Sequence, residues 1–340
     1  MKNIVRNISL FVIALVLFAG TAKSQLVPNL GEQRVGISTL SFLKIGAGAR
    51  AVGMGETFIA VANDVSALYW NPAGLTQFTD NQTMFAHTEY VLDVKHEFVG
   101  AAYHLTPSDI VGFSVTSLHM DAMKVTTETQ PFGTGEYFTF GDVALGLSYA
   151  RSMTDQFSFG LTVKYIEETD AALKMRGVLV DIGTYYWTGI SSTRFAVVVT
   201  NFGANFAPSG EVTKYDGTVV DKFQSFSPPT VFKFGIAWDP IDEEIQKLTT
   251  TIELNHPNDN SENIHLGVEY IWNDWLALRA GTKRTIGQQL FGKDNTSASD
   301  VTLGLGVTAP TPFAQITFDY AYANFNALGS AHRITLRAGF

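Results

Sequence analysis

Cysteine is absent from all 340 residues, which removes disulfides, thiolate nucleophiles and cysteine metal sites together. Charge is sparse: 16% of residues are charged against 46% hydrophobic, a balance between that of a soluble enzyme and that of a helical membrane protein. Long apolar runs are also missing. Outside the first 25 residues nothing approaches the roughly 18 consecutive apolar residues of a spanning helix, so a helix-bundle membrane protein is excluded. Basic residues are few. The formal charge is −9, and without Lys2, Arg6 and Lys23, which lie in a segment expected to be removed, 20 basic residues face 32 acidic ones, or −12. Nucleic acid is therefore not an expected partner. The chain has no GxSxG, no HExxH and no histidine–carboxylate pair at metal spacing, so no enzymatic activity, cofactor or metal is expected. What is plentiful is glycine, at 30, and phenylalanine plus tyrosine, at 37. Such a chain is β-rich and aromatic.

Residues 1–24 read as a cleaved secretory signal peptide. Lys2 and Arg6 form the charged start, Ile8–Gly20 the apolar middle, and Ala22-Lys23-Ser24 the small-residue site before Gln25. An anchor helix is disfavoured because the apolar middle is shorter than the ~20 residues of a span. The absence of cysteine after the cleavage site excludes a lipoprotein anchor.

From residue 79 the dominant period is two. Val301, Leu303, Leu305 and Val307 alternate with Thr302, Gly304, Gly306 and Thr308, and similar patterns run through 157–165 and 264–272. Segments of about ten residues with one greasy face and one polar or tiny face are the signature of membrane barrel strands. The pattern predicts strands at 81–90, 95–105, 109–119, 139–151, 156–167, 176–187, 193–203, 229–238, 246–255, 262–272, 275–284, 299–309, 312–323 and 331–340. The predicted fold is thus all-β, a transmembrane antiparallel barrel of about 14 strands over 79–340; twelve or sixteen remain compatible. Leu147, Leu161, Val180, Leu266 and Leu303 are expected to face lipid, and Gly146, Gly160, Gly183, Gly267 and Gly304 the lumen.

The connections alternate in length. Those at 106–108, 152–155, 188–192, 239–245, 273–274 and 310–311 are short, and 120–138, 204–228 and 285–298 are long, which suits a barrel with both termini on the short-turn side. Tyr149, Tyr186, Trp238, Tyr270, Trp272 and Trp275 fall beside the short turns, as an interfacial girdle would. Alternation continues through Ile334, Leu336 and Ala338 to Phe340, which is expected to serve as a C-terminal insertion signal.

Residues 25–78 form an N-terminal segment and hatch, in which 42–78 break the period. Within 42–78 the chain is rich in Gly and Ala. Asn63 or Asp64 can cap a short helix bearing Val65, Leu68 and Tyr69, which Asn71-Pro72 ends, so a small helical hatch in the lumen is expected. Gly46, Gly48, Gly53 and Gly55 lack the GxGxxG spacing and precede no βαβ unit; close packing in a crowded lumen explains them. Gly48-Ala49-Arg50-Ala51-Val52-Gly53-Met54-Gly55-Glu56-Thr57, followed by Trp70-Asn71-Pro72-Ala73-Gly74, resembles the N-terminal signature of the PorV/PorQ family, itself similar in fold to FadL-type transporters. The resemblance implies a 14-stranded barrel with an N-terminal hatch in the outer membrane of a Bacteroidetes-like bacterium. The functional partners it implies are outer-membrane lipid, type IX translocon components and secreted proteins. The competing expectation, from the FadL side, is an uptake channel for a hydrophobic ligand. The hatch motif is then Gly46, Gly48, Arg50, Gly53, Met54, Gly55, Trp70, Asn71, Pro72, Ala73 and Gly74.

Alternation sends Lys164, Asp181, Lys233, Glu253, Glu269, Arg279, Lys283, Asp319, Arg333 and Arg337 into the lumen. This nearly balanced set suits a plugged barrel better than an open selective pore. His87, His104 and His265 are further candidates for the lumen. Asn255–Asn263, Glu167, Glu168 and Asp170, and Asp239, Asp242, Glu243 and Glu244 read as solvated turn charges.

Overall fold

The computed structural model describes residues 36–90, 93–214, 216–286, 301–325 and 329–340. The expected signal peptide, 1–24, lies outside them. Fourteen antiparallel strands close into a barrel: β1 (Gln82–Glu89), β2 (Lys95–His104), β3 (Asp109–His119), β6 (Phe140–Ser152), β7 (Phe157–Asp170), β8 (Leu173–Trp187), β9 (Arg194–Gly203), β12 (Val231–Asp242), β13 (Gln246–Pro257), β14 (Asn263–Trp272), β15 (Leu276–Thr285), β16 (Thr302–Pro310), β17 (Gln315–Asn324) and β18 (Ser330–Gly339). Each pairs with its sequence neighbours in the barrel, and β1 pairs with β18, so no edge is left open. Every expected strand is present within a few residues. Two small hairpins, β4 (Met123–Lys124) with β5 (Tyr137–Phe138) and β10 (Val212–Thr213) with β11 (Val219–Val220), sit in the two longest described connections.

Alternation sets the two faces. Leu147, Leu266 and Leu303 stand exposed on the outside, at 65%, 41% and 54%, where lipid would cover them. Leu161 and Val180 are half-buried on the same face. Tyr149, Trp238, Trp272 and Trp275 are exposed beside the short turns. Hydroxyls close several of those turns, as when Thr106 Oγ1 accepts from the Ser108 and Asp109 amides. One connection on the opposite side is shorter than expected: β7 and β8 meet through 171–172, with Ala171 at φ 49°.

Inside lies the hatch. Its elements are a 3-10 turn (Ser41–Lys44), α1 (Ala49–Gly53), α2 (Ala67–Trp70) and a second 3-10 turn (Pro72–Gln77). Its core of Val52, Met54, Phe58, Ile59, Leu68 and Trp70 is almost fully buried against the wall. A second apolar cluster gathers Leu40, Phe42 and Leu43 against Leu118, Ile166, Leu179 and Phe206 near the long connections. The first described residues belong to that end: Ser38 bridges Ser227, and the Thr39 amide donates to the Ser227 carbonyl at 3.1 Å. Phe340, paired with Asn81, lies on the short-turn side as expected, whereas the expected mature N-terminus at Gln25 falls outside the described residues.

Candidate functional site: the hatch and its lattice

The hatch docks by backbone contact on one wall and by charge on the other. At the first wall, the Asn71 backbone ends α2 and its side chain opens the next turn, with Oδ1 accepting from the Ala73 amide at 3.1 Å. Its Nδ2 donates to the Ile59 carbonyl at 2.9 Å and, across to β8, to the Thr184 carbonyl at 3.2 Å. Pro72 occupies the first position of the turn, where no amide hydrogen is needed. The wall glycines explain the fit. A Cβ at Gly160 would lie 2.3 Å from Ala73 N, and one at Gly183 would lie 2.1 Å from Asn71 Oδ1, so only glycine lets the motif seat. A Cβ on Gly74 would likewise lie 2.3 Å from the Ala62 carbonyl oxygen.

The glycine-rich stretch seats on β14–β16. A Cβ on wall residue Gly281 would meet Gly55 N at 2.1 Å, and Gly53 rests against Gly304. The Met54 carbonyl approaches Gly267 in the same way. Gly48 and Gly55 take positive φ, 85° and 72°, and Gly46 lies under the Trp70 ring, whose Nε1 donates to the Ala47 carbonyl at 2.9 Å. No phosphate cradle is needed to account for these glycines.

Arg50 is the hub of the charged side. Its Nε and Nη2 bind both oxygens of Glu269, at 2.9 and 2.7 Å, and its Nη1 reaches Asp64 and Asn63, each at 2.6 Å. Arg279 donates to Glu269 and Asp319, both at 2.6 Å, and Arg337 reaches Asp64 at 2.6 Å. Three guanidinium groups thus interlock with three carboxylates, two of the six groups coming from the hatch and four from β14, β15, β17 and β18. Burial alone would push the Asp64 carboxyl up, but Arg337 and Arg50 outweigh it and hold the group at about 2. Glu56 behaves likewise: burial opposes ionisation, Lys283 at 3.1 Å overrides it, and the carboxyl sits at about 2. Beside the lattice a cavity of about 300 Å³ opens at the short-turn end, with Arg50, Asn63, Glu269, Arg279 and Arg337 in its lining.

The inward charge set is where alternation puts it, and most of it is paired: Lys164 with Asp181 at 2.5 Å, Lys233 with Glu253 at 4.0 Å. Other expectations need correction. Asp64 does not cap the helix directly; its Oδ1 accepts from the Ser66 amide at 2.9 Å, and α2 is a single turn beginning at Ala67. Asp239 and Glu168 are buried, because their strands run past the expected ends and keep them on the inward face; Asp239 binds Arg194 at 3.0 Å. Asp259 and Glu262 are buried too, Asp259 with Lys44 and Ser38 of the hatch segment and Glu262 with His256. His87 points outward beside Glu97, since it shares parity with Phe85; His96, one parity over, is the inward residue that was missed. Among the described residues no group of three His, Asp or Glu could hold a metal.

Three solved structures share this architecture. The CymD monoaromatic hydrocarbon channel superposes with a TM-score of 0.58 at 13% identity, over 89% of this chain and 97% of that one. The toluene transporter TodX of Pseudomonas putida gives 0.57 at 12%, over 89% and 98%. The toluene transporter TbuX of Ralstonia pickettii gives 0.55 at 12%, over 86% and 97%. At such identities the likeness is one of fold. No curated protein matches the chain. A family model described as type IX secretion system protein PorV matches residues 29–258, well over half the chain, and so takes in the hatch motif and the strands as far as β13. The chain is an outer-membrane β-barrel that belongs to the PorV family.

Proposed function

We propose that this barrel is a non-enzymatic component of type IX protein secretion, acting as a partner of the translocon or a carrier of exported proteins. The family match over 29–258 is the observation that carries this reading. The packing inside the barrel supports it: hatch residues Ala47, Met54, Phe58, Ile59 and Asn71 are fully buried, and the ionic lattice crosses the same lumen. A partner that works through its outer surfaces has no need of an open bore. The fold shared with hydrocarbon channels favours a second reading, uptake of a hydrophobic molecule past a movable hatch. A lumen crossed by three arginines and three carboxylates is a costly path for such a molecule, because each group would lose a charged partner as it passed. Affinity isolation from the native outer membrane distinguishes the two. Recovery of a large translocon barrel with exported proteins supports secretion, and a lone barrel carrying apolar lipid or hydrocarbon supports uptake. In this reading Asn71-Pro72-Ala73-Gly74 holds the hatch closed, and Phe340 marks the chain for insertion.

A further inference from the structure

Thr88 of β1 pairs with His96 of β2 on one side and with Arg333 of β18 on the other, and all three are buried on the inward face. The two flanking side chains share an anomaly. Arg333 is 2% exposed, yet its Nε and Nη1 have no hydrogen-bond partner among the described residues; neither has Nε2 of His96, at 1% exposure. Other buried inward arginines are matched by carboxylates: Arg194 by Asp239, Arg279 by Glu269 and Asp319. A lysine in this position could shed its proton, but a guanidinium cannot, and a buried charge whose donors are left unsatisfied is costly. Glu56 attracts Arg333 through space but makes no hydrogen bond to it, so Nε and Nη1 lack a bonded anion.

The surroundings say what kind of group fits. Ala321 is the register partner of Arg333 on β17, and Ala323 and Ala331 are the next pair along, all three buried, so these positions beside Arg333 offer methyl groups and no carboxylate. Two residues further toward the long connections, Tyr90 and Phe325 meet edge to face, with ring centres 5.3 Å apart. A guanidinium presents two planar forks, Nε with Nη2 and Nη1 with Nη2, each matching two oxygens of a carboxylate or phosphate, as Arg50 does with Glu269 through Nε and Nη2. His96, one strand beyond Thr88 on the same buried face and within the field of Arg333, adds a third unpartnered nitrogen. We propose that Arg333 and His96 form an oxyanion-binding site in the lumen, taking a carboxylate or phosphate group enclosed between β1, β2 and β18.

The test uses the whole barrel, refolded in detergent, with urea unfolding followed at constant ionic strength while sodium chloride is exchanged for sodium acetate or sodium phosphate. The unfolding midpoint should rise saturably with the bound anion, since a ligand of the native state stabilises by mass action. A response to acetate alone identifies a carboxylate; a response to phosphate identifies a phosphate-bearing ligand. Arg333→Met should abolish the response and, in chloride, unfold at a midpoint no lower than the natural protein, because it removes a buried charge with unsatisfied donors while Glu56 keeps Lys283. Arg333→Lys, which keeps the charge without the fork, should bind at least tenfold more weakly, and it serves if the Met variant does not fold. The proposal is overturned if neither anion moves the midpoint beyond chloride, if Arg333→Met keeps the response, or if that variant is destabilised equally in every salt.

Discussion

Replacing Arg50 with Met unbalances the lattice in a way that can be calculated. Arg50 makes two bonds to Glu269, one to Asp64 and one to Asn63, all between 2.6 and 2.9 Å. Breaking a buried pair by removing one partner costs about 3–5 kcal/mol, mostly because a charge is left stranded. Here the strandedness is partial: Glu269 keeps Arg279 and Asp64 keeps Arg337, so the lower end, about 3 kcal/mol, is expected. That is roughly a hundredfold rise in the population with the hatch undocked, at about 1.4 kcal/mol per tenfold. Glu269→Gln should cost a similar amount, leaving three guanidiniums against two carboxylates. The double variant restores parity, two against two. It should therefore cost less than the two single changes together, by at least about 1 kcal/mol of coupling. The assay is amide hydrogen exchange of residues 42–78 in the folded barrel, with strand protection as internal control. Additivity within about 0.5 kcal/mol, or unchanged exchange in the single variants, would show that the lattice does not hold the hatch.

Four further outcomes follow from the same geometry. Gly183→Ala drives a Cβ into Asn71 Oδ1, so residues 42–78 should become protease-sensitive while the barrel still shows heat-modifiable migration on gels. Asn71→Ala with Pro72→Ala removes the bonds to Ile59 and Thr184, and planar-bilayer conductance should rise; conductance and protection equal to the natural protein would reduce the motif to a turn. Leu147→Arg places a charge on the lipid face and should lower folding stability in lipid vesicles by about 2–4 kcal/mol. Asp64 and Glu56 are depressed to about 2, so their stabilisation is fully present above the ordinary carboxylate range and is lost as pH falls from about 4 toward 2; hatch protection, corrected for the intrinsic pH dependence of amide exchange, should stay flat from pH 7 to 5 and fall only below about 4.

The barrel was legible because its physics is written at period two, and lipid on one face enforces that period on every strand. The wall glycines were legible as inward residues, but not as sockets. Gly160 and Gly183 owe their identity to Pro72 and Asn71, more than eighty residues away, and local pattern carries no information about such contacts. Lattice charges on strands were readable by parity, whereas Asp64 looked like a helix cap because Asp before a short helix usually is one. Asp239 and Glu168 were misread as turn charges for a related reason. Strand length was inferred from hydrophobic content, and a buried salt bridge lets a strand continue inward where the apolar signal stops. Facing the lumen therefore does not confer tolerance: Thr162 is fully buried and hydrogen-bonded to Ser148 at 2.7 Å, so the filled interior has no place for Thr162→Arg.

The two modes of docking differ in what release costs, and this sets which side of the hatch is the firmer. On the β7–β8 side, undocking exposes the Asn71 amide and backbone seated against Gly160 and Gly183, and nothing charged is gained by hydration. On the side of β14–β18, Arg50 and Asp64 would exchange ion pairs for water, and charged groups recover much of their lost pairing energy when hydrated. The cavity of about 300 Å³ beside Arg50 and Arg337 already brings the short-turn end to the edge of this lattice. An incoming charged group can substitute there for one member at a time, since Glu269 and Asp64 each have two arginine partners. No comparable stepwise exchange exists at Asn71, whose three bonds go to backbone groups fixed in hatch and wall. On these costs the lattice at Arg50 is expected to yield before the seat of Asn71-Pro72.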